Sequence, residues 1–137
     1  MARLHVKHLM ACTRIEVAQA YPGNPYILHG VSYSFDRTAT STGGRIDEMW
    51  LFARYFGDVG RYRVELDLVW DDDTRGPTSV LPLPQLLPPV VITAANPVLD
   101  RAHRFLFLPA PGVGRYTFRL SAGRKNRPVA HEFIEVR

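Results

Sequence analysis

The chain has 137 residues, 46% apolar and 22% charged, with 17 Lys plus Arg, 13 Asp plus Glu and one cysteine. This is the composition of one globular domain, expected over 1–137, and it excludes a disordered or fibrous chain. The single Cys12 excludes an intrachain disulfide framework and any multi-cysteine zinc site.

No apolar run approaches the roughly 18 residues of a membrane span. The opening Met1–Lys7 carries no signal-peptide apolar block, so the expected compartment is the cytosol. The net charge of +4 would attract phosphate or an acidic partner, but the arginines are scattered along the chain. Nucleic-acid binders gather charge on one face with stacking aromatics, so nucleic acid is the disfavoured partner.

Period-two alternation dominates, which marks strands with one face on a core and one toward solvent. The first candidates are 3–10 and 14–19, with Cys12 between them as a small buried residue. The next is 26–35. A polar run over 36–45 reads as the most mobile loop.

Residues 46–56 are apolar on both faces. Their aromatic content favours a strand covered on both sides, while Asp47 and Glu48 in front and Gly57 behind also suit a short helix. Within this segment Trp50, Phe52, Tyr55 and Phe56 are the interface candidates if one side is left uncovered. Tyr62, Val64, Leu66, Leu68 and Trp70 then alternate cleanly with polar neighbours.

Asp71, Asp72 and Asp73 close that strand. Clustered loop carboxylates are hard-oxygen ligands of the kind Ca²⁺ takes, provided a second loop adds Asp36, Asp58 or Asp100. The plainer reading is a solvated turn. Prolines at 77, 82, 84, 88, 89 and 97 exclude a helix or a central strand over 76–97. An extended crossing along a sheet edge or between sheets fits, with leucines and valines buried. A polyproline ligand is the minor alternative.

Strands are expected at 89–94, 102–108, 115–120 and 129–136. The turn between the last two carries Arg124, Lys125 and Arg127, candidate anion contacts on an otherwise ordinary hairpin tip.

Gly60-Arg61-Tyr62 echoes Gly114-Arg115-Tyr116, and each glycine enters an alternating strand. Asp58-x-Gly60-x-Tyr62 and Gly112-x-Gly114-x-Tyr116 resemble the tyrosine corner of Greek-key sandwiches, in which a tyrosine hydroxyl ties back a turn. The fold class that follows is all-β: one antiparallel β-sandwich, Ig-like or jelly-roll-like, of about seven to nine strands with little or no helix. Leu4-His5-Val6, the Tyr26–Val31 run, Gly114-x-Tyr116-x-Phe118-x-Leu120 and Phe133-x-Glu135-Val136 together resemble an uncharacterised family of short bacterial cytosolic β-sandwich proteins. That resemblance implies the fold and no activity.

Catalytic motifs fail one by one. Gly30-x-Ser32 lacks the closing glycine of a nucleophile elbow. His131-Glu132-x-x-Glu135 lacks the second histidine of a zinc helix and lies in a strand. His5 and His8 are three apart, which on a strand places them on opposite faces. A metal site would require His103 and His131 to converge. The expected function is therefore a non-enzymatic interaction or structural module, without a cofactor, whose partner is another protein or a second copy. The alternative is a calcium-dependent ligand or membrane-surface binder built on Asp71–Asp73.

Overall fold

The computed structural model describes residues 2–17, 26–41, 43–72, 76–123 and 127–137. They form thirteen strands and no helix. Seven of the strands are long: β1 (Leu4–Val17), β2 (Tyr26–Val31), β5 (Gly43–Gly57), β7 (Val64–Asp72), β11 (Val98–Pro109), β12 (Gly114–Ala122) and β13 (Arg127–Val136). The other six have two to four residues: β3 (Ser34–Phe35), β4 (Thr38–Thr40), β6 (Gly60–Tyr62), β8 (Gly76–Ser79), β9 (Gln85–Leu86) and β10 (Val90–Ile92). The expected count of seven to nine matches the long strands alone, because the short pieces are edge pairings that leave little trace in the sequence.

Two sheets carry the sandwich. One runs β11-β5-β1-β2, with β4 also pairing β5; the other runs β3-β13-β12-β7-β8, with β9 also pairing β7. A β10–β6 ribbon lies beside them. Alternation builds the core between the sheets. Leu9, Ala11, Met49, Leu51, Ala53, Tyr55 and Phe105 from the first sheet meet Leu66, Leu68, Tyr116, Phe118, Leu120 and Ile134 from the second. Phe105 and Phe118 meet across it, with ring centroids 6.1 Å apart.

Both tyrosine corners form. The Tyr62 hydroxyl donates to the Asp58 carbonyl and the Tyr116 hydroxyl to the Gly112 carbonyl, each at 2.7 Å and four residues back. The echo does not extend to the pairing. Tyr62 faces Val90 in the ribbon, whereas Tyr116 lies between Ile134 and Trp70 inside the second sheet.

Four expectations are corrected. The candidates 3–10 and 14–19 join in one strand, β1, described as far as Val17, which absorbs a bulge between Val6 and His8 without a turn; 18 and 19 lie outside the described residues. The 36–45 run is not a free loop, since β4 folds onto the start of β5 as a hairpin. Residues 26–35 split into β2 and β3 around Ser32, whose hydroxyl accepts from the Ser34 amide. The 76–97 crossing follows the β7 edge through β8 and β9 and then leaves it, since β10 pairs β6 in the ribbon; its leucines divide, with Leu87 buried and Leu83 and Leu86 exposed.

Segment 46–56 is a strand covered on both faces. Tyr55 points into the core at 0% exposure. On the opposite face Phe52, Cys12 and Ile15 form a second buried cluster with Met10, Tyr26, Leu28, Trp50 and Ala102 against it. Tyr26 pairs with Val17 at the far end of the β1–β2 hairpin, yet its ring stands 6.1 Å from that of Phe52, which pairs with Met10. The hairpin therefore bends back over the outside of its own sheet, and full burial of Phe52 there contributes about 1.5–3 kcal/mol.

Candidate functional site

The four aromatics proposed as one interface are separated by this packing. Tyr55 and Phe52 are internal. Trp50 is half-buried, its indole Nε1–H donating to Glu48 at 3.2 Å and its ring lying under Arg104. Phe56 remains partly exposed, stacked on His5 at 5.2 Å. The four-residue patch reduces to Trp50 and Phe56, because a strand apolar on both faces is here covered on both.

Among the described residues none of the second-loop carboxylates joins Asp71. Asp71 is exposed and pairs with Pro77 across the β7–β8 hairpin, Asp72 pairs with Gly76, and Asp73 lies outside the described residues. Asp100 is clamped by Arg54 at 2.7 and 2.9 Å, which removes it from any loop. Asp58 accepts the Arg3 amide at the opposite end of β7, and Asp36 faces Arg137. Among the described residues no three His, Cys, Asp or Glu side chains assemble.

His103 is buried beside Tyr55, with its Nε2 3.4 Å from the hydroxyl, while His131 is exposed on the other sheet, so the two do not converge. Burial, followed by the nearby Arg101 charge, lowers the His103 pKa to about 4, so it is neutral at pH 7. Cys12 is buried and its thiol pKa is raised by desolvation, which makes it a poor nucleophile. Arg127 is exposed at the start of β13; Arg124 and Lys125 lie outside the described residues.

A site that the motif search missed lies where the two sheets part. A groove of about 630 Å³ runs between β11 of one sheet and β7–β8 of the other. Phe107, Arg45, Pro109 and Pro111 line one wall, and Trp70, Thr78, Ser79 and Val80 the other. At its rim Phe107 is the one described non-glycine residue with positive φ, at 56°, and the residue is 58% exposed.

The local sequence explains the geometry. Phe105-Leu106-Phe107-Leu108 has no alternation. Phe105 and Leu108 are both buried, so the two residues between them must both face out. A regular strand does not do that, and on β11 the step falls at Phe107, which is left-handed and drops out of the pairing with β5 while the register on either side is kept. On β5 the same step occurs: Ile46 and Met49 are buried while Asp47 and Glu48 are exposed. This unbroken apolar run was the signal that the sequence offered.

The exposed ring is held in place. The Arg45 guanidinium lies 4.6 Å over it. Arg45 Nε in turn donates to Asp47 at 2.8 Å, and the Thr38 hydroxyl donates to the other Asp47 oxygen at 2.9 Å. Those two bonds, Thr38 first, hold the Asp47 carboxyl below the usual range.

The opposite wall is fixed by the second tyrosine corner. Trp70 stacks on Tyr116 at 5.9 Å and donates its indole N–H to the Val113 carbonyl at 3.2 Å. Gly112 lies flat against the indole: a Cβ there would stand 2.3 Å from Trp70 Cζ2. Arg37 donates to the Ala110 and Pro111 carbonyls of the same loop. The groove thus sets an exposed aromatic in a left-handed conformation opposite an indole held on two sides.

The sequence matches no protein-family model and no curated protein. Solved structures share the fold. The Pseudomonas fluorescens alkylpurine DNA glycosylase AlkC, bound to DNA containing an abasic site analogue, is similar over 99% of this chain, with 10% identity and a TM-score of 0.63. The Listeria innocua β-glucosidase in complex with glucose is similar over 99%, with 9% identity and a TM-score of 0.52. The chain spans only 31% of the glycosylase and 16% of the glucosidase. These likenesses establish a β-sandwich and nothing about chemistry.

Proposed function

We propose that this chain is a non-catalytic interaction module that takes an extended segment of a partner protein into the groove between Phe107 and Trp70. The observation that carries this reading is Phe107 itself. An aromatic residue in the left-handed region costs about 1–2 kcal/mol, and an exposed ring recovers little of that by burial. A ring kept exposed at that cost suits a contact made with something else.

Other features support a peptide as the occupant. Among the described strands β11 pairs only with β5, so its outer side is a sheet edge beside the groove. Leu106 and Phe107 present apolar surface there, and the Thr78 hydroxyl opposite, whose own proton goes to the Gly76 carbonyl, can accept from a backbone amide.

The test compares the tagged chain with its Phe107→Asn variant in pull-down and native mass from host lysate. Asparagine tolerates the left-handed backbone and removes the ring. A stoichiometric protein captured by the parent and lost from the variant supports the reading. The same proteins captured by both, or a homo-oligomer that survives the substitution, overturns it.

A further inference from the structure

We infer that the outer face of the second sheet is a separate site for a neutral, polyhydroxylated ligand, a glycan. This inference is independent of the groove reading, since the face lies on β7, β12 and β13 and shares neither Phe107 nor Trp70.

Cross-strand register builds the site. Asp67, Arg119 and His131 stand side by side on β7, β12 and β13. The next row places Glu65 opposite Ser121. Pro84 walls the β7 side and Phe133 the β13 side of a shallow trough of about 740 Å³.

The two carboxylates of this trough are held in place, and its polar groups are only partly used. The Asp67 Oδ1 accepts from the Ser79 hydroxyl at 2.6 Å and from the Leu68 amide at 2.9 Å. Ser79 is on β8, on the side of β7 away from β12, so its bond draws the carboxylate away from Arg119. The remaining Asp67 oxygen, Oδ2, takes no hydrogen bond from the described residues. The Arg119 guanidinium, although directly opposite in register, makes no ion pair with them either. Glu65 is held by Arg63 at 2.9 Å, with its side chain 15% exposed. His131 lies edge-on to Phe133 at 5.3 Å, and the far side of that ring pair is braced by Arg115 at 5.0 Å from the Phe133 centroid.

Charge decides the ligand class. Asp67 and Glu65 repel an anion, and Arg119 repels a cation. Hydroxyl groups both donate and accept, so one sugar ring can donate to Asp67 Oδ2 and accept from Arg119 and His131 in the same row. The apolar C–H face of a sugar suits Pro84 and Phe133 at the walls. The trough is wide and shallow, which suits a chain of sugar units.

The probes are cellotetraose, maltotetraose and chitotetraose, titrated into the whole chain to millimolar concentration by calorimetry and by amide NMR. At least one should bind saturably, with shifts confined to β7, β12 and β13. Arg119→Ala and Asp67→Asn should each weaken it by about tenfold or more, with unchanged melting temperature for the exposed Arg119. Phe107→Asn should leave binding intact. Three outcomes overturn the inference: no probe binds, binding survives both substitutions, or inorganic phosphate competes for the same shifts and marks an anion site.

Discussion

Replacing Phe107 by glycine and by alanine separates backbone strain from side-chain contact. Both substitutions remove the ring and its contact with Arg45, a loss of about 0.5–1 kcal/mol. Alanine keeps a Cβ and so keeps the left-handed penalty of about 1–2 kcal/mol. Glycine escapes that penalty but loses about 0.5–1 kcal/mol through the entropy of its freer unfolded chain. The glycine variant should therefore equal or exceed the alanine variant by up to about 1.5 kcal/mol. At a regular exposed strand position such as Arg119 the order should reverse, with alanine better by about 0.5–1 kcal/mol. Urea denaturation with a shared m-value measures all four variants. An alanine variant at 107 clearly more stable than the glycine variant would refute a left-handed backbone there, and with it the argument that strain marks the groove.

Other predictions rest on separate parts of the molecule. Tyr116→Phe removes the corner bond to Gly112 and should cost about 1–2 kcal/mol in the same assay; an unchanged midpoint would deny the corner a structural role. Gly112→Ala drives a methyl into the Trp70 ring and should cost about 1–3 kcal/mol while altering indole fluorescence. His103 is buried neutral with a pKa of about 4, below its unfolded value of about 6.5. The unfolded chain therefore binds a proton first. The stability that His103 contributes is complete above about pH 6.5 and is lost as pH falls toward 4, by up to about 3 kcal/mol. A His103→Gln variant should lack that part of the slope, and equal slopes would place His103 in solvent. Cys12 should resist a thiol reagent in the native state and react only on unfolding; rapid labelling would contradict the cluster under the β1–β2 hairpin.

What the sequence disclosed follows from which effects are local. Alternation through Tyr62–Trp70 and Tyr116–Leu120 is a property of neighbouring residues, so those strands and their inward faces could be read directly. Each tyrosine corner spans four residues and was equally legible. The bend that lays Tyr26 over Phe52 was not legible. It depends on contact between Tyr26 at the start of β2 and Phe52 on β5, which no local pattern links, and a strand apolar on both faces gives no sign of what covers each. For the same reason Phe52 and Tyr55 read as interface residues when one lies beneath the hairpin and the other inside the core. The groove was hidden because Phe107 and Trp70 meet only through sheet packing. Its one local trace, four apolar residues before Pro109, looks like an ordinary buried strand.

A photoreactive benzoylphenylalanine at position 107, in the full chain expressed in its own host, tests the central claim most directly, with the same group at exposed Arg61 as control. The account predicts one discrete adduct from position 107, joined to a single peptide of one partner protein, and none of that adduct from position 61. Equal, diffuse labelling from both positions, or no protein adduct at 107, would contradict a partner docking at this groove.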